Sequence, residues 1–356
     1  MSRADRVAER AAAEGVDALL VTNLVNVRYL TGFTGSNGLA VVGRDQRRFL
    51  TDFRYVEQAR EQVGDAFERE QAPQDFITGL AGGWPAGELR HGFEADYVTV
   101  KAHGRLREVV PERVELVALD GVVEQERLVK DAGEIERIRA AAALVDEVYG
   151  WLRERGLVGR TERDVAVALE HRMRELGAEG PSFSSIVASA ERGALPHAEP
   201  ADVPIAAGTL VTLDIGARLD GYCSDCTRTW ATGEIPDDLA EAYALVLRAQ
   251  QEALDAVRPG PEGREIDAVA RDIIDAAGHA EHFGHGLGHG VGLDVHEAPR
   301  LARSGDTRLA AGQVVTVEPG VYLPGRGGVR IEDLVVVTED GRDVLSGTPK
   351  DLLTVD

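Results

Sequence analysis

Apolar residues in the first third of the chain recur first at helical and then at strand spacing. Residues 4–15 place alanines and a valine along one side of a predicted helix. Short apolar runs, separated by glycines that interrupt the pattern, predict buried strands at residues 16–21, 39–42, 92–97 and 114–119. This alternation indicates an α/β unit, and we place its end near residue 125, where a long charged helix is about to begin.

The rest of the chain contains an internal repeat. Residues 144–177 and 245–278 each show a helix, a turn with glycine, a second helix and a final glycine, and each pair precedes a glycine-rich segment with strand character. Any two amphipathic helix pairs resemble one another, so the strand segments carry the argument. We predict a duplicated α+β domain with a pseudo-twofold axis over residues 126–356, after a smaller α/β domain over residues 1–125.

Composition narrows the functional classes. The 356 residues favour two domains, and 61 acidic against 39 basic residues give a formal net charge of -22. Binding to nucleic acid or to an anionic membrane surface needs the opposite bias, so both are excluded as partners. The chain has two cysteines, no apolar signal core at its start and no apolar run of about 18 residues, so we expect a cytoplasmic protein.

Two aspartates lie on a predicted hairpin. Residues 210–215 predict one strand, the Asp-Gly pair at residues 220–221 the turn, and residues 222–230 the returning strand. Asp214 and Asp225 therefore lie on adjacent strands among apolar neighbours, where aspartate is uncommon. If buried, both carboxylates need a partner that offsets their charge. The alternative is an exposed pair on an edge hairpin.

A glycine-rich segment carries three histidines. His285 and His289 are four residues apart, as in helical zinc-protease motifs, but glycine at every second position from 286 to 292 disfavours a helix. An extended strand that another backbone approaches closely fits better. His289 and His296 are seven residues apart, so a regular strand would direct them to opposite faces unless a bulge intervenes. A purely structural histidine is the alternative for any one of them.

Two glutamates belong to valine-rich strands near the end of the chain. Glu318 closes one apolar strand just before a Pro-Gly pair, and Glu332 lies inside another. Carboxylates in such strands are costly to bury unless they are paired or bound to metal. Taken singly, each glutamate could instead pair with an arginine such as Arg330.

Together these segments supply four carboxylates and one imidazole: Asp214, Asp225, His289, Glu318 and Glu332. Two divalent cations would cancel the four negative charges, and the neutral imidazole would complete the coordination. Oxygen-rich ligation with one nitrogen suits manganese, cobalt or zinc better than copper. Such cation pairs can share a hydroxide nucleophile and polarise a carbonyl. The set therefore predicts a dinuclear hydrolytic centre.

Cys223 and Cys226 form a CxxC element beside Asp225. A second CxxC or a nearby histidine pair, which a zinc site would need, is absent from the sequence. Residues three apart on an extended strand lie roughly 10 Å apart, too far for a disulfide. We therefore predict ordinary packing for both thiols.

These motifs resemble the pita-bread metallopeptidases, a family that includes aminopeptidase P, prolidase and methionine aminopeptidase. The matching segments occur in family order: LDIGARLDGYCSDCTRTW, GHGLGHGVGLDVHEAP, VTVEPGVY and VRIEDL. The early segments NLVNVRYLTGFTGSNGLAVV and FLTDFRYVEQA resemble the creatinase/prolidase amino-terminal domain, which methionine aminopeptidase lacks. The resemblance spans essentially the whole chain and favours the Xaa-Pro peptidases. Creatinase shares the fold but lacks these metal ligands.

The resemblance implies a role for each ligand. Asp225 and Glu332 would bridge two cations, Asp214 would chelate one, and His289 with Glu318 would complete the other. Glu318 would also carry a proton from the bridging water to the leaving imino nitrogen.

Further residues gain roles from the same resemblance. His197, in the segment ALPHAEP, matches a histidine that lines the substrate pocket, and His296 matches one that contacts the scissile carbonyl oxygen. His285 matches a pocket histidine of aminopeptidase P, and Arg330 matches an arginine that adjoins the metal ligands. Arg300 lies where some prolidases bind the free carboxylate of a dipeptide, although related aminopeptidases also have arginine there.

The expected activity is that of an Xaa-Pro aminopeptidase, which removes the first residue of a peptide when proline is second. Xaa-Pro dipeptidase (prolidase) is the alternative within the family. Two divalent metal ions per chain, manganese first, and a homodimer are expected by analogy. A noncatalytic peptide-binding scaffold of the same fold is the hypothesis from another class, and cleavage of a different amide bond is a further one.

Overall fold

In the computed structural model, which describes residues 1–73, 75–80 and 82–356, the chain divides into two units, Met1–Arg127 and Leu128–Asp356. The boundary that the sequence suggests, between residues 125 and 126, falls inside the last helix of the first unit, Val122–Arg127. Each unit has its own sheets and its own buried apolar residues.

The first unit is built on a mixed sheet of six strands within the described residues, in the order β4-β3-β2-β1-β5-β6. The strands are β1 Ala18–Val21, β2 Gly38–Gly43, β3 Arg47–Thr51, β4 Glu68–Gln71, β5 Leu89–Glu94 and β6 Val114–Leu119. The helices are α1 Arg3–Ala13, α2 Leu24–Thr31, α3 Val56–Gln62, α4 Phe76–Gly79, α5 Val100–Val109 and α6 Val122–Arg127. Parallel pairing of β1 with β5 and of β5 with β6 agrees with the predicted α/β class.

The second unit contains two helix pairs, as the repeat predicts. The helices are α7 Ala132–Arg153, α8 Glu162–Glu175, α9 Asp237–Ala256 and α10 Gly263–Ala276. Each pair packs against strand residues in a separate apolar core, which is the arrangement expected of a duplicated α+β domain. Among the described residues, no helix combines the length and the apolar character needed to cross a membrane.

The strands of the second unit pair only in antiparallel fashion in the part of the chain that the structure describes. They are β7 Gly180–Pro181, β8 Ile186–Ser189, β9 Leu210–Ile215, β10 Ala217–Leu219, β11 Tyr222–Cys223, β12 Cys226–Ala231, β13 Gly288–Gly290, β14 Glu297–Leu301, β15 Val314–Val317, β16 Gly320–Leu323, β17 Gly327–Arg330, β18 Asp333–Val337 and β19 Arg342–Val344.

The predicted hairpin is interrupted where the chain changes sheets. β9 pairs with β12, whereas β10 and β11 form the Asp-Gly hairpin in another sheet, so the single returning strand predicted over residues 222–230 is wrong. The change occurs at Gly216, where a Cβ would lie 2.1 Å from the carbonyl oxygen of Ser224. Thr227 consequently faces Asp214 in the ladder, and Asp225 lies in the break between two strands.

Both cysteines are buried and free. Cys223 Sγ is 3.6 Å from the carbonyl oxygen of Leu293, and Cys226 Sγ is 3.7 Å from that of Glu332. Burial raises the pKa of both thiols, so they pack as small apolar groups.

Candidate metal centre

A cavity of about 610 Å³ in the second unit is lined by four of the five predicted ligands, Asp214, Asp225, His289 and Glu318. Nε2 of His289 lies 3.2 Å from Oε1 of Glu318 and 3.7 Å from Oδ2 of Asp225. Glu332 joins them, because ligand atoms of Asp225, His289 and Glu332 lie within 4.8 Å of one another. The fold thus brings together five residues that are spread over more than 100 positions of the sequence.

Most of these side chains lie at strand ends. Asp225 directly precedes β12, Glu318 directly follows β15 and Glu332 directly precedes β18, whereas Asp214 and His289 lie within β9 and β13. A residue at a strand end can direct its side chain toward the space between sheets without breaking the ladder. Antiparallel pairing of β9 with β12 and of β15 with β18 then brings the ends together.

Glycines on both sides of His289 allow neighbouring backbone to approach. A Cβ on Gly288 would lie 2.1 Å from the carbonyl oxygen of Thr316, and one on Gly290 would lie 2.1 Å from that of Ala298. Either addition would displace backbone. The predicted extended, glycine-lined strand is therefore confirmed, and His289 provides its only side chain larger than hydrogen.

Two buried carboxylate oxygens of this cluster, Oδ1 of Asp214 and Oε1 of Glu332, have no hydrogen-bond donor among the described residues. The second oxygen of each group is held: Arg330 Nη2 donates to Asp214 Oδ2 at 2.7 Å, and Thr227 Oγ1 donates to Glu332 Oε2 at 2.8 Å. Carboxylates with one oxygen oriented by a donor and the other left free fit divalent cations. The donor set of this cluster therefore suits such ions.

The charges in the cluster also call for cations. Burial raises the pKa of Asp225 and Glu332 well above the ordinary range, and the neighbouring carboxylates raise both further. Burial would raise the pKa of Glu318 too, but a hydrogen bond from His289 and the charge on that ring outweigh burial and lower the pKa to about 2. For His289, burial lowers the pKa, yet the contact with Glu318 raises it overall. The centre is short of positive charge.

Arg330 connects this cluster to a predicted pocket histidine. Its Nη1 donates to the hydroxyl of Tyr322 at 2.9 Å, and that hydroxyl lies 2.8 Å from Nε2 of His285. Nδ1 of His285 lies 2.7 Å from the carbonyl oxygen of Gly286, so Nδ1 carries the proton and Nε2 accepts from the tyrosine. His285 lines the cavity with both ring nitrogens engaged by the protein. Arg330 itself pairs with Asp214, and not with either glutamate.

Sequence reasoning missed Tyr322 and Thr227. Tyr322 lies in β16, four residues after Glu318, and it lines the cavity. Its place as a polar aromatic residue at the end of the motif VTVEPGVY was an available signal. Thr227 had none, because a threonine in a strand is ordinary, and its contact with Glu332 joins residues 105 positions apart.

A bulge brings two of the predicted histidines together. The pairing of β13 with β14 shifts register between His289 and Gly290, and the rings of His289 and His296 meet edge to face with centroids 4.4 Å apart. The bulge that a seven-residue spacing requires, if both histidines are to face the same side, is therefore present. His296 and His197 both line the cavity and are exposed. Burial and the nearby charge of His289 lower the pKa of His296.

Arg300 also lines the cavity and lies opposite His289 in the antiparallel ladder. No carboxylate among the described residues lies within 4.0 Å of its guanidinium, whereas Arg330 is paired with Asp214. Arg300 is thus a cationic fork that can receive an anionic group entering the cavity.

Comparison with known proteins follows the division into two units. Residues 136–339 match metallopeptidase family M24, and residues 3–129 match the creatinase/prolidase N-terminal domain. An uncharacterized peptidase, YqhT, of Bacillus subtilis is 44% identical over 95% of this chain and 96% of its own length. An Xaa-Pro dipeptidase of Pyrococcus horikoshii is 35% identical over 95% of each chain.

Solved structures match over nearly the full length. An Xaa-Pro dipeptidase from Bacillus anthracis has a TM-score of 0.94 and 40% identity, covering 99% of both chains. An X-Pro aminopeptidase from Thermotoga maritima has a TM-score of 0.90 and 35% identity, covering 100% of both chains. The predicted two-domain architecture is confirmed by these matches.

Proposed function

The chain belongs to metallopeptidase family M24, and we propose that within this family it is an Xaa-Pro dipeptidase, which hydrolyses dipeptides whose second residue is proline. Dipeptidase activity is the alternative that the sequence left open, and it is favoured here over the aminopeptidase activity expected first. Relatives named Xaa-Pro dipeptidase from P. horikoshii and B. anthracis match over almost the whole chain. The enzyme is a hydrolase that acts on peptides.

The observation that carries the choice of dipeptides is the unpaired guanidinium of Arg300. In a dipeptide, the proline carboxylate follows directly on the scissile bond, and a bidentate arginine is the natural group to bind it. Arg300 lines the same cavity as four of the five candidate ligands and His296. In a longer peptide this carboxylate becomes an amide, and the ion pair is lost.

We further propose that each chain binds two of the family's divalent metal ions and that manganese is the preferred metal. The ions are held by five residues: Asp214, Asp225, His289, Glu318 and Glu332. The free oxygens of Asp214 and Glu332 support this assignment. When bound, the ions supply Lewis acidity and lower the pKa of a water molecule.

The remaining steps belong to side chains of this chain. A carboxylate oxygen of Glu318 takes a proton from the attacking water and delivers it to the proline nitrogen as the amide bond breaks. His296 donates a hydrogen bond to the carbonyl oxygen as negative charge develops there. His197 also lines the cavity and contacts the substrate there. Arg300 fixes the carboxyl end, so that the scissile carbonyl is presented in one register.

Paired substrates test the proposal. With manganese supplied, Ala-Pro is expected to be cleaved and Ala-Pro-Ala to be a poor substrate. Cleavage of the tripeptide alone overturns the dipeptidase assignment, and cleavage of neither supports the noncatalytic scaffold. Metal content after dialysis against manganese is expected to be two ions per chain, and one ion or none contradicts the dinuclear centre.

Xaa-Pro aminopeptidase activity is the second candidate, because the T. maritima structure of that name matches the whole chain at 35% identity. Efficient cleavage of Ala-Pro-Ala would establish it. A homodimer is also part of the proposal, by analogy with this family, in which homodimers are common. Sedimentation of the purified chain tests the dimer independently of activity.

A further inference from the structure

Glu162, the first residue of α8, is fully buried and is not one of the candidate metal ligands. Thr161 caps the helix by accepting a hydrogen bond from the backbone N–H of Asp164, so Glu162 is not required as a cap. The burial of a carboxylate away from the cavity centre is costly and needs a compensating role.

The carboxylate of Glu162 accepts four hydrogen bonds from outside its helix. The donors are the backbone N–H of Ser189 at 2.8 Å, Ser189 Oγ at 2.9 Å, Arg192 Nε at 2.8 Å and the backbone N–H of Ala201 at 3.1 Å. Ser189 and Ala201 flank residues 190–200. One buried carboxylate therefore fastens both ends of this segment.

The fastened segment forms part of the cavity wall. Four of its residues, Pro196, Ala198, Glu199 and Pro200, line the cavity together with His197. Arg192 Nη2 also donates to the carbonyl oxygen of Glu199 at 2.6 Å, so the arginine connects the carboxylate of Glu162 to the backbone near the far end of the segment.

His197 has no hydrogen bond of its own in the described part of the chain, and its side chain is exposed. Its position therefore depends on the backbone that carries it. Apart from the contacts made by Glu162 and Arg192, Arg330 Nη1 donates to the carbonyl oxygen of Pro196 at 3.2 Å. The segment is thus anchored to both the metal side and the helix side of the cavity.

We propose that Glu162, acting with Arg192, is a positioning residue of the peptidase reaction, which holds His197 in register with the bound substrate. This inference rests on the proposed function, because His197 matters only if the cavity binds a peptide. Glu162 fixes the backbone of residues 190–200, and that backbone fixes the position of the His197 imidazole.

A double-mutant cycle tests the proposal on the full-length, manganese-loaded enzyme with Ala-Pro. Glu162→Gln keeps the shape of the side chain but removes its charge, and kcat/KM is expected to fall about 10- to 100-fold, as for other groups that orient a functional side chain. His197→Ala is expected to cause a similar or larger loss. If Glu162 acts through His197, the double variant is no worse than His197→Ala alone.

Arg163→Ala is the matched control. Arg163 follows Glu162 in the same helix and pairs with Asp202, just beyond the same segment, but both side chains are exposed, at 57% and 76%. An exposed pair of this kind contributes little. Wild-type kcat/KM is expected.

Arg192→Met is the second variant, and it protects the test against simple loss of folding. It removes a partly exposed donor and leaves Glu162 three others. Loss of the cation is expected to lower the free energy of unfolding, so urea unfolding and metal analysis verify that the variant is folded and loaded when its kinetics are measured. A smaller fall in kcat/KM that disappears in the His197→Ala background supports the proposal.

Additive losses in either cycle, or wild-type kcat/KM in both Glu162→Gln and Arg192→Met, overturn this inference alone. A wild-type enzyme that cleaves neither Ala-Pro nor Ala-Pro-Ala overturns the proposed function and this inference with it.

Discussion

Glu332 and Asp333 are adjacent acidic residues, each 1% exposed, but their surroundings differ sharply. Asp333 is saturated with donors: Arg228 Nη2 at 2.9 Å, Gln250 Nε2 at 3.0 Å and Lys350 Nζ at 2.5 Å. Glu332 accepts one hydrogen bond, from the hydroxyl of Thr227, and its second oxygen accepts none from the described residues. At the start of this strand, the backbone directs Asp333 toward a network of donors that includes two cations, and it directs Glu332 toward the candidate ligands Asp225 and His289.

The difference separates two reasons for burying a charge. Asp333 is neutralised by side chains of the same chain, so its burial serves the fold. Glu332 has raised pKa because of burial and neighbouring carboxylates, so its burial destabilises the protein until a cation arrives. In this pair, the oxygen of Glu332 that lacks a donor, more than acidity or burial, distinguishes the candidate metal ligand from the structural carboxylate.

Replacement of Glu332 is expected to have the largest effect on function. Glu332→Gln removes a free carboxylate oxygen, so metal content and Xaa-Pro cleavage are both expected to fall below detection. In the presence of a chelator, the free energy of unfolding is expected to equal or exceed that of the wild type, because a repulsive charge is lost. Metal analysis and urea unfolding with EDTA measure the two effects. Full metal content in Glu332→Gln would contradict the comparison.

Glu318→Gln sharpens the functional half of the comparison. Loss of the proton-accepting carboxylate is expected to lower kcat about 10²- to 10⁴-fold at saturating manganese. Steady-state kinetics with Ala-Pro provide the measurement, and metal content measured in parallel separates proton transfer from ligation. An unchanged kcat would remove Glu318 from the mechanism.

Asp333→Asn tests the structural half. Arg228 and Lys350 would lose their shared counter-charge, and the free energy of unfolding is expected to fall by about 3–5 kcal/mol. Metal content and KM should stay at wild-type values. Asp340→Asn, on the exposed surface, is the control and should unfold like the wild type. Loss of metal from a folded Asp333→Asn protein would show that the two carboxylates are not separable.

Arg300→Met is expected to have the smallest effect. Loss of a hydrogen-bonded ion pair with the substrate carboxylate should raise KM for Ala-Pro about 10- to 100-fold, with little change in kcat. Arg303→Met removes a nearby arginine that does not line the cavity, and should leave KM unchanged. Equal KM values for Arg300→Met and wild type would remove the main support for dipeptide specificity.

The sequence was informative where chemistry and local pattern coincide. Carboxylates inside apolar strands, such as Asp214 and Glu332, stand out because burial without a partner is costly. The role of Thr227 could not be predicted, since it depends on a contact across 105 positions. The change of sheet at Gly216 was also missed, because a continuous strand fits the same apolar pattern.

The three-residue strand Gly288–Gly290 has a consequence for genetic variation. Substitution of either glycine would push against a carbonyl oxygen of a neighbouring strand and move His289 with the backbone. In a library of random variants, both glycines should therefore score as intolerant as the histidine between them. Glycine, which has no side chain, would then count among the essential residues. Selection would preserve the space beside its Cα as strictly as it preserves a functional group.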